Sequence, residues 1–554
     1  MRHVLGPLLT VDVGARRTET SDIDDVLAGF VGGRGVGTRL AFDRIPFDAD
    51  PLGPENRLYF ATGPLQASTT SFTGRTSATA LSPLTGGLAS SNAGGFVSRN
   101  VADTGYAAVE LVGRSDTPLW VHVTDDGVAF DPVPGLAGAT VSGVVEHVEE
   151  RRGLGADAVV CIGPAGEHEV RFAAMMTSGT RAFGRGGLGA VLGSKNVKCL
   201  TFAGDSARRI EFPPVADEVH REAAESDHIM KRQGTAGLTE FANEIEALPT
   251  RYFSESSFEG APAIGGDAIE EKKYKKGTCS SCAFACKLPT RDEGAGVETE
   301  GPEFETVMAF GSNAGVDDLA AVMRANERCD ELGLDTISCG DVVSAYLASE
   351  GSFGDAELLV DLVERIAHRE GIGDTLAEGI HRIHDELGVD DWTAKGMEFA
   401  AHDGRTLNGQ ALAFATSNRG ADHLYGSMYV REYPLVDRER AIDRDGVAGK
   451  ADLLVERENR NAVLDSAIAC KFSRGFLTDA RLSTLLDATV EELQAVGARI
   501  VTLERRFNNE RGFDRTDDTL PYDLPGFESE LSAYYERRGW NDDGTVPPAV
   551  VPER

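Results

Sequence analysis

The stretch Gly277-Thr278-Cys279-Ser280-Ser281-Cys282-Ala283-Phe284-Ala285-Cys286 sets three thiols in a C-x2-C-x3-C spacing. That spacing lets one tight loop wrap three corners of an iron–sulfur cube, with the fourth ligand coming from elsewhere in the chain. Zinc is a weaker reading, because a structural zinc usually takes its ligands as two pairs and no C-x2-C or H-x3-H partner follows. Three ordinary thiols are the bland alternative. The other cysteines stand at 161, 199, 329, 339 and 470, and eight in 554 residues are too few for a disulfide scaffold. Just before the loop, Lys272-Lys273-Tyr274-Lys275-Lys276 holds four of the chain's 11 lysines.

That run stands out because the chain is acidic, with 89 Asp and Glu against 55 Lys and Arg and a net charge of −34. A surface of this sign repels nucleic-acid phosphates and anionic lipid headgroups. It suits strong salt, where the Debye length falls to about 3 Å near 1 M and self-repulsion is screened, so the chain reads as halophilic. With 41 % hydrophobic and 26 % charged residues it can bury a large interior, and its length calls for two or three domains. No apolar run approaches the roughly 18 residues of a membrane span, and the first residues lack a secretory pattern. A soluble, cytoplasmic protein is expected.

Residues 1–208 are rich in short β-type runs between glycine turns, such as 57–61, 107–112 and 119–123. From about Pro213 the pattern turns helical, with helices expected over 214–232, 317–332, 338–349, 355–370 and 490–505. The fold class is α+β: a β-rich domain at 1–208, then two mainly helical domains at 209–395 and 396–554, divided after the polar loop at 390–393. Three glycine-rich stretches, 32–37, 91–95 and 181–189, have the composition of anion-holding loops. Each on its own is more often a tight turn, and it is the three together beside a cluster motif that favour anion-holding. The formal G-x-G-x-x-G from Gly184 to Gly189 follows a polar loop rather than an apolar strand, which argues against a dinucleotide site.

Taken in order, these residues resemble the tungsten-containing aldehyde ferredoxin oxidoreductases. The likeness runs through Gly63-Pro64-Leu65, Gly74-Arg75, Leu81-Ser82-Pro83, 91–95, 181–196 and the cysteine loop. It continues through Gly301-Pro302-Glu303-Phe304-Glu305-Thr306, 330–335, Arg419-Gly420-Ala421-Asp422-His423 and 465–470. The resemblance implies an N-terminal two-sheet domain forming the base for a tungsten held by two pterins, with two helical domains covering it. It makes Cys470 the fourth ligand of a [4Fe-4S] cluster with Cys279, Cys282 and Cys286. It assigns one D-x-x-G-L-D/C type segment to each pterin: Asp330, Leu334 and Asp335 to the first and Asp465 to the second.

The second segment departs from the pattern, with Ile468-Ala469 where Gly-Leu is usual, and Phe304 stands where Tyr is frequent. By the same carry-over Arg75 bridges pterin and cluster. Asn92 and Ala182 offer carbonyls to a Mg²⁺ joining the pterin phosphates, and Gly94, Arg181, Gly184 and Arg185 line the pterin sites. For the 330–335 segment the residues themselves give a plainer reading, a helix ended at Gly333 and another capped by Asp335.

The implied activity is oxidation of a small aldehyde to its acid, with electrons leaving through the cluster to ferredoxin. Glu305 is then the candidate proton acceptor and His423 the candidate hydrogen-bond donor to the substrate oxygen, with His402 as a second histidine nearby. The lysine run is the candidate docking patch for an acidic ferredoxin, and homodimers occur in the family. The rival readings are a molybdenum bis-pterin oxidoreductase, whose cluster motif usually sits near the N-terminus, and a non-catalytic iron–sulfur electron-transfer subunit. The charge count makes one prediction of its own: stability against urea rises steadily from low to molar salt, and a midpoint indifferent to salt would refute the salt adaptation.

Overall fold

A computed structural model describes residues 1–433 and 440–551. Two six-stranded mixed sheets occupy the N-terminal third. The first comprises β1 (Leu8–Asp12), β2 (Arg17–Ser21), β3 (Leu58–Ala61), β4 (Thr76–Leu81), β5 (Leu88–Ala93) and β6 (Ala108–Val112), in the order β2-β1-β6-β3-β4-β5. The second comprises β7 (Leu119–Thr124), β8 (Gly127–Pro132), β9 (Val159–Cys161), β10 (Met175–Thr177), β11 (Arg181–Phe183) and β12 (Val197–Ala203), in the order β11-β10-β9-β12-β7-β8. Among the described residues only β1–β6 and β7–β12 pair in parallel. One core of residues from both sheets joins them, including Val11, Phe60 and Val109 with Val121, Phe183 and Phe202. The Phe60 ring meets those of Phe183 and Phe202 edge-on at 5.8 and 6.2 Å.

Beyond residue 204 the chain is mainly helical, and no helix among the described residues is long and apolar enough to cross a membrane. Four of the expected helices form where their caps put them: Leu319–Leu332 behind Asp318, Thr336–Glu350 behind Asp335, Ala356–His368 behind Asp355, and Val490–Glu510 behind a Thr489–Glu492 capping box. The expected helix over 214–232 instead breaks after Val215–Glu225, with a separate turn at Met230–Gln233. Ser226 takes an extended backbone and its hydroxyl accepts from the His228 N–H, a local bond that competes with the helix.

The N-terminal region also carries more helix than its strand-rich sequence suggests, and one glycine stretch belongs to it. Residues 32–37 are not an anion-holding loop but the start of the buried helix Gly33–Arg44. A Cβ on Gly33 would fall 2.3 Å from the Asp465 carbonyl oxygen, so the small residue lets this helix lie directly on Ala451–Ala467. Arg34 locks the contact: Nε and Nη2 donate to the two Glu504 carboxylate oxygens at 2.7 Å, and Nη1 reaches Asp465 Oδ2 at 3.3 Å. Its guanidinium lies 3.4 Å from the Tyr425 ring centroid. Arg34→Ala leaves a buried carboxylate without its partner and should cost about 3–5 kcal/mol in denaturant unfolding. Arg34→Ala combined with Glu504→Ala should cost less than the sum of the single changes.

Candidate active site

The free edges of the two sheets face one cavity. β5 and β11 are terminal strands, so each presents backbone groups that no neighbouring strand takes up. On β5 the Ser90 carbonyl accepts from Arg419 Nη1 at 2.7 Å and Tyr425 Oη at 3.1 Å, and the Asn92 carbonyl accepts from Arg75 Nη1 at 2.9 Å. On the other side, positive φ at Ser178 and Gly179 closes the tight hairpin from β10 into β11 and brings Arg181 and Ala182 to the rim. The helical segments complete a cavity of ≈ 340 Å³, within the roughly 300–1,000 Å³ of a small-molecule site.

Arg75, Asn92, Gly94, Arg181, Ala182, Gly184, Arg185, Asp330, Leu334, Asp335 and Asp465 all line this cavity, together with Glu305, His423, Cys279, Cys286 and Cys470. Cys282 does not line it. It packs, as Cys286 and Cys470 also do, on the apolar cluster that includes Phe72, Phe284 and Phe476.

The loop is held from both sides: the Ser280 N–H donates to the Gly95 carbonyl at 2.9 Å, and the Ala283 N–H to Ser71 Oγ at 2.9 Å. Cys470 is brought in by its own N–H, which donates to the Phe72 carbonyl at 2.7 Å. Arg75 Nη2 lies 3.5 Å from Cys470 Sγ, and the Gly95 N–H donates to Cys279 Sγ at 3.3 Å. A Cβ on Gly94 would come within 3.2 Å of that sulfur. Burial opposes the Arg75 charge, yet Cys470 and Cys279 hold its pKa above the ordinary arginine value. Burial pushes the Cys282 and Cys286 thiols up, and proximity to Cys470 and Cys279 adds to it. These four thiols are partly exposed, whereas Cys161, Cys199, Cys329 and Cys339 are buried. Among the described residues no three donors converge tightly enough for a single metal ion.

The two D-x-x segments end their helices in the same way. Gly333 has φ 75° and its N–H donates to the Cys329 carbonyl, as does that of Leu334 at 2.9 Å. Ile468 has φ 66° and its N–H donates to the Leu464 carbonyl, as does that of Ala469 at 2.8 Å. In each, the aspartate three residues earlier lines the cavity: Asp330, whose carboxyl burial pushes well up, and Asp465. Asp335 then caps the next helix through the Ile337 and Ser338 N–H groups, with Arg185 Nε 3.5 Å from its Oδ2. Asp465 Oδ1 accepts from Asn92 Nδ2 at 3.0 Å and Lys471 Nζ at 2.7 Å. Arg181 is clamped between Glu300 Oε2 at 2.6 Å and Glu303 Oε1 at 3.1 Å.

Opposite the sheet edges stands an acid–imidazole group. Glu305 Oε1 is 3.3 Å from His423 Nε2 and 3.5 Å from His402 Nε2, while Oε2 accepts the Ala401 N–H at 2.8 Å. The His402 ring stacks on Tyr429 at 3.6 Å and its Nδ1 is 3.3 Å from Tyr433 Oη. Burial, with the charges of His423 and Arg474, drives the His402 pKa well below the ordinary value, so its ring is neutral. Asp422 caps the turn that carries His423, accepting from the Leu424 and Tyr425 N–H groups. Burial alone would raise its carboxyl, but Arg419 and His423 hold it at about 2.

Sequence reasoning did not single out Tyr429, Tyr433 or Lys471. The first two sit four apart just beyond His423, a helical spacing that offered a signal. Lys471 was marked only by being a lysine in a lysine-poor chain. Burial lowers it to about 8, against the pull of Asp465.

Residues 8–204 match the family model described as the aldehyde ferredoxin oxidoreductase N-terminal domain, and residues 214–553 the one for domains 2 and 3. The chain is 32 % identical to the tungsten-containing aldehyde ferredoxin oxidoreductase of Pyrococcus furiosus, over 99 % of this chain and 98 % of that one. It is equally similar to that of Thermococcus kodakarensis, over 98 % and 97 %. The WOR-like subunit of the Pyrococcus furiosus aliphatic sulfonate oxidoreductase is 27 % identical over 99 % of this chain and 96 % of its own length. In fold, the chain matches the benzoyl coenzyme A reductase complex BamBC with a TM-score of 0.83 at 22 % identity, covering 99 % and 96 % of the two chains. With both family models together spanning nearly its whole length, the chain belongs to the aldehyde ferredoxin oxidoreductase family of oxidoreductases.

Proposed function

We propose that the cavity binds a bis-pterin tungsten centre and oxidises an aldehyde to a carboxylic acid, with electrons passing through a [4Fe-4S] cluster on Cys279, Cys282, Cys286 and Cys470 to a ferredoxin. The observation that carries this is the convergence of the pterin-motif residues, three of the four cysteines (Cys279, Cys286 and Cys470) and the Glu305–His423 pair on one cavity. Its polar lining supports a large polar occupant: Asn92 Oδ1, Arg181 Nε, His423 Nδ1 and Arg419 Nε are buried without hydrogen-bond partners, a costly state that a bound group with donors and acceptors would relieve. Asn92 and Ala182 stand on the facing sheet edges, where their carbonyls suit a Mg²⁺ between two phosphates.

When bound, the cofactor supplies activation of the carbonyl and accepts both electrons. The overall change is aldehyde plus water to carboxylic acid, two protons and two electrons. Glu305 Oε1 holds the proton released as the oxygen nucleophile adds. Its other oxygen is fixed by the Ala401 N–H, so the accepting atom is held in one place. The neutral His402 ring, in the tautomer that accepts a hydrogen bond from the Tyr433 hydroxyl at Nδ1, presents Nε2–H to Glu305. His423, steadied by Asp422, donates to the substrate oxygen.

The lysine run contributes less charge to docking than its sequence suggests. Lys272 pairs with Asp292 at 2.5 Å and Lys273 donates to the Lys231 carbonyl at 2.8 Å. Lys275 and Lys276 remain exposed a few residues before Cys279.

Glu305→Gln should lower kcat by a factor of about 10² to 10⁴ while metal analysis still finds tungsten and about four irons per chain. Near-normal turnover refutes the proton-acceptor role; molybdenum, or iron alone, refutes the tungsten reading. Reversing Lys275 and Lys276 to Glu should raise the KM for ferredoxin about three- to tenfold and leave dye reduction unchanged; an unmoved KM removes the docking patch.

A further inference from the structure

Among the described residues five large hydrophobic side chains stand open to solvent: Met1, Leu5, Ile229, Tyr274 and Val550. Three of these lie within five residues of an end of the sequence. The other two, Ile229 at 41 % exposure and Tyr274 at 39 %, stand on segments tied to each other beside the cysteine loop. Lys273 Nζ donates to the Lys231 and Arg232 carbonyls at 2.8 and 3.3 Å, joining the turn Met230–Gln233 to the lysine run. On both sides of Ile229 the chain lies against the loop. The His228 ring is 5.8 Å from that of Phe284, and a Cβ on Gly234 would come within 3.3 Å of the Cys286 carbonyl oxygen. The Tyr274 N–H donates to the Pro289 carbonyl at 3.1 Å, three residues beyond Cys286.

The local charge is also reversed. Residues 227–232 and 270–276 hold six basic and three acidic side chains, in a chain where acids outnumber bases by 89 to 55. Arg232, Lys275 and Lys276 are exposed, and Arg232 Nε is 3.6 Å from Glu270. Lys275 Nζ and the Arg291 guanidinium lie 5.1 and 4.4 Å from the Tyr274 ring centroid.

We infer that Ile229 and Tyr274, rimmed by Arg232, Lys275 and Lys276, form the docking face for a small acidic iron–sulfur electron carrier, and that apolar contact at Ile229 holds the pair together in strong salt. An apolar centre inside a charged rim is the anatomy of a protein interface, and electron-transfer encounters use small ones. The cations select the sign of the partner and speed encounter, but their reach falls to about 3 Å near 1 M salt. Burial of an isoleucine needs no charge. A second copy of this chain is a poor occupant, because a two-fold contact sets Arg232, Lys275 and Lys276 against their own duplicates. This rests on the reading in which electrons leave through the cysteine loop, and it names the surface they leave by. Each aldehyde oxidised then reduces two one-electron carriers.

The test uses the holoenzyme and an acidic [4Fe-4S] ferredoxin, at low and at molar salt. Two quantities are measured: the KM for ferredoxin in butanal oxidation, and the Kd for ferredoxin by calorimetry without aldehyde. Ile229→Ser should raise both about five- to tenfold at either salt concentration and leave viologen reduction unchanged. Reversing Lys275 and Lys276 to Glu should raise them at low salt and lose its effect near 1 M. A Kd that Ile229→Ser does not move, or moves only at low salt, overturns the apolar anchor. Conversion of a wild-type dimer to monomer by Ile229→Ser also overturns it, and makes the face a contact between copies. Viologen reduction without ferredoxin binding overturns the face and the ferredoxin partner and leaves aldehyde oxidation standing. Ferredoxin binding that Ile229→Ser weakens, with butanal oxidised by neither acceptor, supports the face and overturns the aldehyde reading instead.

Discussion

One buried carboxylate, Asp465, holds together parts of the chain that are far apart in sequence. It takes Arg34 from the helix Gly33–Arg44, Asn92 from the edge of the first sheet, and Lys471 from the segment that carries Cys470. A charge this far from water is expensive alone, and its partners repay that cost only while the geometry is kept. The arrangement thus fixes register more than it adds stability. If the Ala451–Ala467 helix slid on the sheet domain, Asp465 would lose its partners, and Cys470 would leave both Arg75 and the Phe72 carbonyl. Cavity floor and cysteine group are set by the same contact.

The charge of the chain is distributed to match. Lys195, Lys198, Lys287, Lys450 and Lys471 are buried, and each ammonium meets an acceptor, such as the Asn56 carbonyl for Lys195 and Glu432 for Lys450. Nearly half of the 11 lysines are therefore held inside, four of these five by a carboxylate. A long-range negative field remains outside, while the cavity is lined by both signs, with Arg75, Arg181, Arg185, Arg419 and Lys471 facing Glu300, Glu305, Asp330, Asp335 and Asp465. Salt screens the first and hardly touches the second.

Features with local causes were legible in the sequence. C-x2-C-x3-C reads as a loop because its spacing is its geometry, and the helices expected over 317–332 and 490–505 form behind the local caps Asp318 and Thr489. What escaped depends on distant partners. The glycines at 32–37 have loop composition, yet they are small because another helix presses on them. The union of Cys470 with the loop came from the family resemblance and not from spacing. His402, Tyr429 and Tyr433 become a group only once the chain beyond 400 folds back over Glu305.

The replacement of Gly by Ile468 in the second D-x-x segment shows which property of that motif matters. A β-branched residue at φ 66° carries a strain of about 1–2 kcal/mol. Its side chain is fully buried, and a Cβ on Gly63 or Gly33 would fall 2.4 or 2.8 Å from Ile468 atoms. The two glycines leave the space that the isoleucine fills, and burying such a side chain is worth about 1.5–3 kcal/mol, enough to offset the strain. The helix end at Ile468 accordingly repeats that at Gly333, down to the carbonyl that receives both N–H groups. The cavity needs the left-handed turn that aims Asp465 inward and delivers Cys470; glycine is one way to make it, and a packed isoleucine is another.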